Sequence, residues 1–558
     1  MQTFSLYVRD MSCSGCSNAV KQRLEMLPDV YHVNVDIIEG SATVYYRESN
    51  ELLYEIQHLV DEFGYLGRSE LVPDHQCLHD KNIIVKNSNK VATSPVFTYI
   101  QPPFDTEDFK LADIAKEAAD LLKRLFSGVD GNIKLRLWNN ATLQLGNATH
   151  QTMDHTFTLV CNSANAVRTM VLGRDPLRFA DAYFKNHIDI EGNFFDALQL
   201  KDHLHMIRMS MRDKLSTIFS AFKLPSATAD TTHQHHQAII ANSVKDHSQT
   251  ENLEAIAFHY NISNEFYALW LDQSMIYSCA YFEHPDNTLE QAQLAKLEHI
   301  CHKLMLKPGD KLLDIGCGWG ALIIHAAKYY GVTAHGITLS KSQFDLAKAR
   351  IVESNLQHLV SVELRDYREL KGKAVYDKIS SIGMFEHIGL KNLPLYFATV
   401  HRLLKLDGLF LNHGITHYQE GWKKTLSTEF INRYVFPDGQ LDTVSNIQKH
   451  MEHAKFEIAD VEALRSHYAL TLRHWVARLE AHHEQALKYV SEATYRIWRL
   501  YMAACALEFE SGEIGVYQVL ATKTTNGVNV LPLTRSYMYP PVEQSQRHEY
   551  LTRKAHLI

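Results

Sequence analysis

The sequence predicts a multidomain chain: a small N-terminal βαββαβ unit, a middle α+β unit, and a C-terminal α/β domain on a doubly wound sheet. Three features predict it. Residues 3–46 alternate apolar and polar side chains in short runs, the period of half-buried strands. Two stretches, 71–105 and 226–255, turn polar and irregular between the patterned regions. From about residue 256 onward, strand-like and helix-like segments alternate, the rhythm of a parallel sheet covered by helices on both faces. A length of 558 residues has room for such a series, at roughly 150 residues per domain.

In the first unit, residues 1–70, "TFSLYV", "YHVNVDI" and "SATVYY" read as strands, with a turn at Glu39–Gly40. Helical stretches at about 16–27 and 50–63 and a last strand in "GRSELV" complete it. Residues 71–105, with Pro73, Pro95, Pro102 and Pro103, read as a linker. The second unit, 106–225, opens on the amphipathic helix "EDFKLADIAKEAADLLKRLF" and continues through strand-like "KLRLW", "ATLQLG" and "TFTLVC". The polar stretch 226–255 carries "TTHQHHQ", whose spacing offers no preformed metal geometry, so it reads as a solvated linker. The third domain spans 256–525, with a tail at 526–558. Here "KLLDIG" leads into a helix, "TAHGITL" into "SKSQFDLAKARIVES", "SVELRDY" into a turn, and "YDKISSIGM" into a helix around 391–405 before "GLFLNHGI".

Composition narrows the function classes. Lys and Arg number 56 against 64 Asp and Glu, a net charge of −8, which argues against a nucleic-acid protein working through bulk charge. No uncharged apolar run approaches the length of a bilayer span, so none is expected. Arg9 and Asp10 interrupt the only apolar stretch near the start, so no signal peptide is expected there. Eight scattered cysteines are unlike a disulfide scaffold and point to a reducing cytoplasm.

The segment "KLLDIGCGWGALI" carries the first chemistry. Gly316, Gly318 and Gly320 stand where a strand turns into a helix, letting backbone approach a ligand beside a helix N-terminus. The spacing is G-x-G-x-G with Asp314 two residues upstream, not the G-x-G-x-x-G of dinucleotide sites. It resembles the opening loop of Rossmann-like class I methyltransferases, which bind S-adenosylmethionine. Such enzymes commonly place an acid at the end of the second strand, where this chain has Gly336, Ile337 and Thr338.

From "AFHYNISNEFYALWLDQSMIYSCAYF" to "GVYQVL", through "GITLSKSQ", "LRDYREL", "GMFEHIG", "NHGI" and "FINRYVFPDGQL", the chain resembles the cyclopropane-fatty-acyl-phospholipid synthase family. "AYFKNHIDIEGNFFDAL" resembles that family's lipid-binding region; the mycolic-acid methyltransferases share the core but generally lack that region. The resemblance implies methylene addition across a cis double bond of a phospholipid acyl chain. The chemistry needs apolar walls, aromatic faces for cationic centres, and one weak base without a competing nucleophile. A methyl-branching or methylene-forming fatty-acyl methyltransferase is the alternative product class.

In this family the base is thought to be a bound bicarbonate in a small polar cluster. The resemblance carries over Cys279, Glu386, His413, the backbone N–H of Ile415, the hydroxyl of Tyr468, and Cys505. By residue type alone Cys279 and Cys505 read as core residues, and Glu386 and His387 as a helix cap. For the cofactor it implies Gly316, Gly318 and Gly320 around the methionine and ribose, with Asp314 just ahead of them. It implies Thr338 and Gln343 at the ribose, Asp366 and Tyr367 at the adenine, and Tyr277 and Ser278 at the methionine end. His259, Tyr260 and Asn261 resemble the family's cap motif.

A soluble enzyme acting on lipid must dock on the bilayer surface, here the inner face of the membrane. "KDHLHMIRMSMRDKLSTIFSAFK", with Arg208, Arg212 and Lys214, is compatible with an interfacial helix and equally with one packed on the catalytic domain. The family suggests a homodimer. Finally, Cys13-x-x-Cys16 sits between the first strand and helix, where two thiolates suit a soft metal such as Cu(I). "DMSCSGC" in a βαββα order resembles the heavy-metal-associated domain, a ferredoxin-like fold, with Asp10 where a glycine is usual.

Overall fold

A computed structural model describes residues 2–7, 30–36, 41–46, 68–70, 109–125, 133–145, 157–172, 176–204, 220–222, 224, 262–421, 430, 434–435, 439–524 and 531–539. The chain divides into two compact units, Met1–Thr93 and Ser94–Ile558. Among the described residues, no helix is long and apolar enough to cross a membrane.

In the first unit, β1 (Gln2–Tyr7), β2 (Val30–Asp36), β3 (Ser41–Tyr46) and β4 (Arg68–Glu70) form one sheet in the order β2-β3-β1-β4. Every pairing is antiparallel, with Phe4 opposite Val44 and Leu6 opposite both Ala42 and Ser69. This is the strand order of a ferredoxin-like sheet, built from the three runs that the alternation marked and the last strand expected in "GRSELV". The expected helices at 16–27 and 50–63, and Cys13 and Cys16, lie outside the described residues, as do "TTHQHHQ", His259–Asn261 and Arg208, Arg212 and Lys214.

The second unit begins with α1 (Phe109–Leu125), which buries Ala115, Ala118, Ala119, Leu121 and Leu122 along one helical face. Strands β5 (Ile133–Leu137), β6 (Thr142–Leu145) and β7 (Phe157–Cys161) follow, then α2 (Ala164–Leu172), α3 (Pro176–Phe184), β8 (Ile188–Gly192) and α4 (Phe194–Leu204). They make a sheet ordered β6-β5-β7-β8. Ile133, Leu135 and Leu137 point inward while Lys134 faces solvent, the alternation expected of a one-sided sheet.

The remaining elements are α5 (Asn264–Ala268), α6 (Leu289–Lys303), β9 (Lys311–Ile315), α7 (Ala321–Tyr330), β10 (Thr333–Thr338), α8 (Lys341–Glu353), β11 (Val360–Leu364) and β12 (Tyr376–Ile382). After them come α9 (Leu393–Leu403), β13 (Leu404–His417), α10 (Val444–His453), β14 (Glu457–Ala463), α11 (Arg465–Ala481), α12 (Glu492–Ser511) and β15 (Ile514–Thr522). The seven-stranded sheet runs β11-β10-β9-β12-β13-β15-β14. Strands β9 to β13 pair parallel, and Leu312, Leu313 and Ile315 of β9 are buried on both faces.

One strand departs from the expected parallel sheet: β15 is antiparallel to β13 and β14. The reason is the connection. A single crossover helix returns the chain to the opposite edge, whereas β14 is followed by two long helices, α11 and α12. The pair carries the chain out and back to the edge it left, so β15 enters reversed.

The middle α+β elements are fixed to α11 and α12 by basic side chains. Arg496 bonds Asp189 at 2.9 Å, the Arg499 guanidinium lies 3.8 Å from the Phe194 ring centre, and that of Arg473 lies 4.1 Å from Phe195.

Candidate active site

A cleft opens where β9, β10 and β12 end, the place where such sheets take ligands. The glycine loop forms its floor. Gly316, Gly318 and Gly320 all have positive φ, at 82°, 54° and 86°. A side chain on Gly318 would meet nothing within 4 Å, and both Gly316 and Gly318 line the cleft. Gly320 does not. It caps α7, and a Cβ there would come 3.3 Å from that of Ala347, so helix packing requires this glycine.

Asp314 lies below the loop, 3 % exposed, accepting from Ser380 Oγ at 2.7 Å. Burial raises its carboxyl to about 6 against the pull of Ser380 and Lys296. At the end of β10, where an acid is absent, Thr338 Oγ1 donates to Gln343 Oε1 at 2.7 Å, and both line the cleft. Tyr277 and Ser278 line it from the facing segment. Tyr367 does too; its buried hydroxyl has no hydrogen-bond partner among the described residues, and burial pushes its pKa to about 12. Asp366 departs from expectation. Its carboxylate is occupied by Arg368, bonding the backbone N–H, Nε and Nη2 at 2.8, 2.9 and 2.7 Å, and Arg365 lines the cleft instead.

The expected catalytic side chains stand outside this cleft, and their partners differ from expectation. Glu386 Oε1 accepts the Ile415 N–H at 2.7 Å, so that amide serves the carboxylate and is not free for an anion. The turn holding Glu386 lies close over β13 because a Cβ on Gly414 would come 2.0 Å from the Phe385 ring. Glu386 Oε2 is buried with no hydrogen-bond partner among the described residues. Burial raises this carboxyl, opposed by the Ile415 amide and His387.

His413 is bonded through Nδ1 to Gln518 Nε2 at 3.4 Å, so Gln518 orients it, while its Nε2 is buried and has no hydrogen-bond partner among the described residues. Burial, then Lys296 and Lys303, hold the ring neutral. The three pairing strands set His413, Gln518 and Glu462 side by side in one row. Glu462 in turn accepts from His299 at 2.7 Å and Lys303 at 2.5 Å.

Cys279 is buried, its thiol donating to the Ala280 carbonyl at 3.2 Å; Cys505 is half-buried on α12. Burial raises both thiols above their usual range, so neither is a ready nucleophile. Tyr468 packs 4.7 Å from Phe509 and 6.0 Å from Trp475. The same apolar cluster holds Trp270, Trp319, Trp498 and Tyr267, with Tyr267 5.1 Å from Trp319 and Tyr277 5.3 Å from Trp475. Tyr277 and Trp319 present this aromatic mass to the cleft.

A probable fatty acid methyltransferase of Pseudomonas putida is 48 % identical over 298 residues, covering 53 % of this chain and 76 % of that protein. The family described as mycolic acid cyclopropane synthetase matches residues 247–519. The chain belongs to that family. Its members are S-adenosylmethionine-dependent methyltransferases, and so is this enzyme. The cyclopropane-fatty-acyl-phospholipid synthase of Escherichia coli K12 is 41 % identical over 275 residues, covering 49 % of this chain and 69 % of it. The solved cyclopropane synthase MmaA2 from Mycobacterium tuberculosis is 35 % identical, covering 50 % of this chain and 99 % of that one, with a TM-score of 0.46. Residues 5–65 match the heavy-metal-associated domain.

Within this methyltransferase, sequence reasoning missed Lys296, Arg365, Gln518 and the His299–Glu462–Lys303 group. Lys296 stands in "QAQLAKLEHI", a pattern that reads as a lysine on a helix surface. Gln518 sits in the middle of an apolar strand, and a polar residue fully buried there was the one available signal.

Proposed function

We propose that this methyltransferase is a cyclopropane-fatty-acyl-phospholipid synthase acting on unsaturated phospholipid acyl chains at a membrane surface. One observation carries the reading: a buried Glu386 carboxylate offers a proton acceptor, while the buried thiols stay protonated. Bound S-adenosylmethionine supplies an electrophilic methyl for the alkene. The resulting carbocation closes a ring when the new methyl gives up a proton and its C–H electron pair forms the last C–C bond. The proton passes to the buried base. Aromatic walls favour the cation, and the lack of a thiolate or water-exposed base protects it.

Gly316 and Gly318 would give backbone contacts to the cofactor, Thr338 and Gln343 would meet its ribose, and Tyr367 its adenine. A bicarbonate would find a donor and an acceptor among these side chains. With the Gln518 amide donating to Nδ1, His413 keeps its proton on Nε2, a donor, and Glu386 Oε2 is an acceptor. His413, Glu386 and Tyr468 would hold that anion, which would supply a weak base. Docking on the inner membrane face and a paired chain belong to the same reading.

A second reading, a methyltransferase that stops at a methyl branch or a methylene, is favoured by the 48 % identity to a probable fatty acid methyltransferase. Mass spectrometry of lipids after incubation with S-adenosylmethionine and unsaturated vesicles separates the two. A gain of one CH2, with a ring identified against standards, is the expected result. An open-chain product carries the second reading, and no gain with cofactor bound overturns both.

Cys13 and Cys16 read as a soft-metal site outside the chemical step. A Cys13→Ser, Cys16→Ser variant should lose Cu(I) in a chelator competition and retain full turnover. Complete loss of turnover in a folded double variant would overturn that separation.

A further inference from the structure

We propose that Lys296 anchors the carboxylate at the methionine end of S-adenosylmethionine, making the enzyme selective for ligands that carry the complete amino acid. The inference rests on the reading that the cleft at the glycine loop takes this cofactor.

Lys296 lies mid-way along α6, is 1 % exposed, and lines the cleft. A buried ammonium is strongly disfavoured unless an anion meets it. Its hydrogen-bond partner is a neutral hydroxyl, Ser278 Oγ at 2.7 Å, and among the described residues no carboxylate stands within ion-pair distance. The nearby Asp272 is committed elsewhere, accepting the N–H groups of Ser274 and Ile276 at 2.8 Å each. Ser278 is held in place as well, because Gln293, one helical turn before Lys296, donates to its carbonyl at 3.0 Å. The arrangement is therefore a rigid cation with donor capacity left over, aimed into a ligand cleft. Burial lowers the Lys296 pKa to about 8, which still leaves it a cation at neutral pH.

The cleft also has Asp314, equally buried, tied to Ser380 and not to Lys296. One unpaired cation and one nearby anion, both buried in the same cleft, match a zwitterion: the carboxylate goes to Lys296 and Ser278, and the ammonium to Asp314. A nucleoside lacking the carboxylate leaves Lys296 desolvated and alone. The other cation of the cleft, Arg365, follows β11 on the adenine side beside Tyr367.

The test is calorimetric binding to the full chain of two nucleosides, S-adenosylhomocysteine and S-adenosyl-3-thiopropylamine, which differ by the carboxylate alone. Wild type should prefer the first by about 30-fold, the scale of a desolvated charge-assisted pair. Lys296→Met should weaken S-adenosylhomocysteine by about that factor and leave the thiopropylamine unchanged, abolishing the preference. Equal wild-type affinities for the two ligands overturn the inference without any variant. So does a Lys296→Met protein that keeps the preference or loses both ligands alike. Wild type binding neither nucleoside overturns the cofactor reading itself.

Discussion

Glu386→Gln should lower turnover by about 10²–10³-fold, the usual contribution of a positioned proton acceptor, while nucleoside affinity stays unchanged. Gln retains an oxygen for the Ile415 N–H, so the turn over Gly414 should keep its place. What it loses is Oε2 as a buried acceptor. The sign with pH follows from burial, which raises this carboxyl. In the wild type, turnover should rise as pH climbs through the raised value, because the ionised form is the acceptor. The variant should lack that limb. Stability runs the other way. A carboxyl with a raised folded pKa contributes stability below its unfolded value and loses it as pH rises through the folded one. The Gln variant should therefore melt at or above the wild-type temperature at neutral pH. A variant with wild-type turnover would remove Glu386 from the chemistry, and a lowered Tm would make its role structural.

Glu462→Gln should have the largest effect on stability, about 2–3 kcal/mol at pH 7, measured by urea unfolding. Burial alone would raise this carboxyl, but the His299 hydrogen bond and the Lys303 charge bring it down to about 2. Lys303 is fully buried, and its remaining anion, Asp460, lies farther off at 3.3 Å. The figure sits below the full cost of breaking a buried pair because the Glu462 side chain is 20 % exposed and Asp460 persists. A depressed carboxyl contributes above its ordinary value of 4.5 and loses that contribution as pH falls towards about 2. The gap between variant and wild type should thus be constant from neutrality to pH 4.5 and narrow below it. Equal stabilities at pH 7, or a gap that ignores acid, would show that the row beside His413 carries no net ion-pair energy.

Much of this protein is local in sequence and was legible there. Strand alternation marked β1 to β3, and the apolar run ahead of Gly316 marked β9. The D-x-G-x-G-x-G spacing marked the cleft floor, since each rests on contacts between residues a few positions apart. Two residues of the same motif reading, Gly320 and Asp366, do not line the cleft, because a motif shows which residues recur near a ligand but not which of them face it. Gly320 serves the packing of α7 on Ala347, and Asp366 serves Arg368.

The amino-acid order by itself determined the element types, the glycine turn and the residues able to act as base. Tertiary structure alone decided which of those residues are charged and whom they touch. The two long helices between β14 and β15 reverse the last strand, and only that reversal sets Gln518 between His413 and Glu462. The fold of α6 against the 275–281 segment turns an ordinary helical lysine into a buried cation facing the cleft. Both outcomes depend on burial. It is a property of the assembled neighbours, and it shifts proton affinities by amounts that no stretch of sequence encodes.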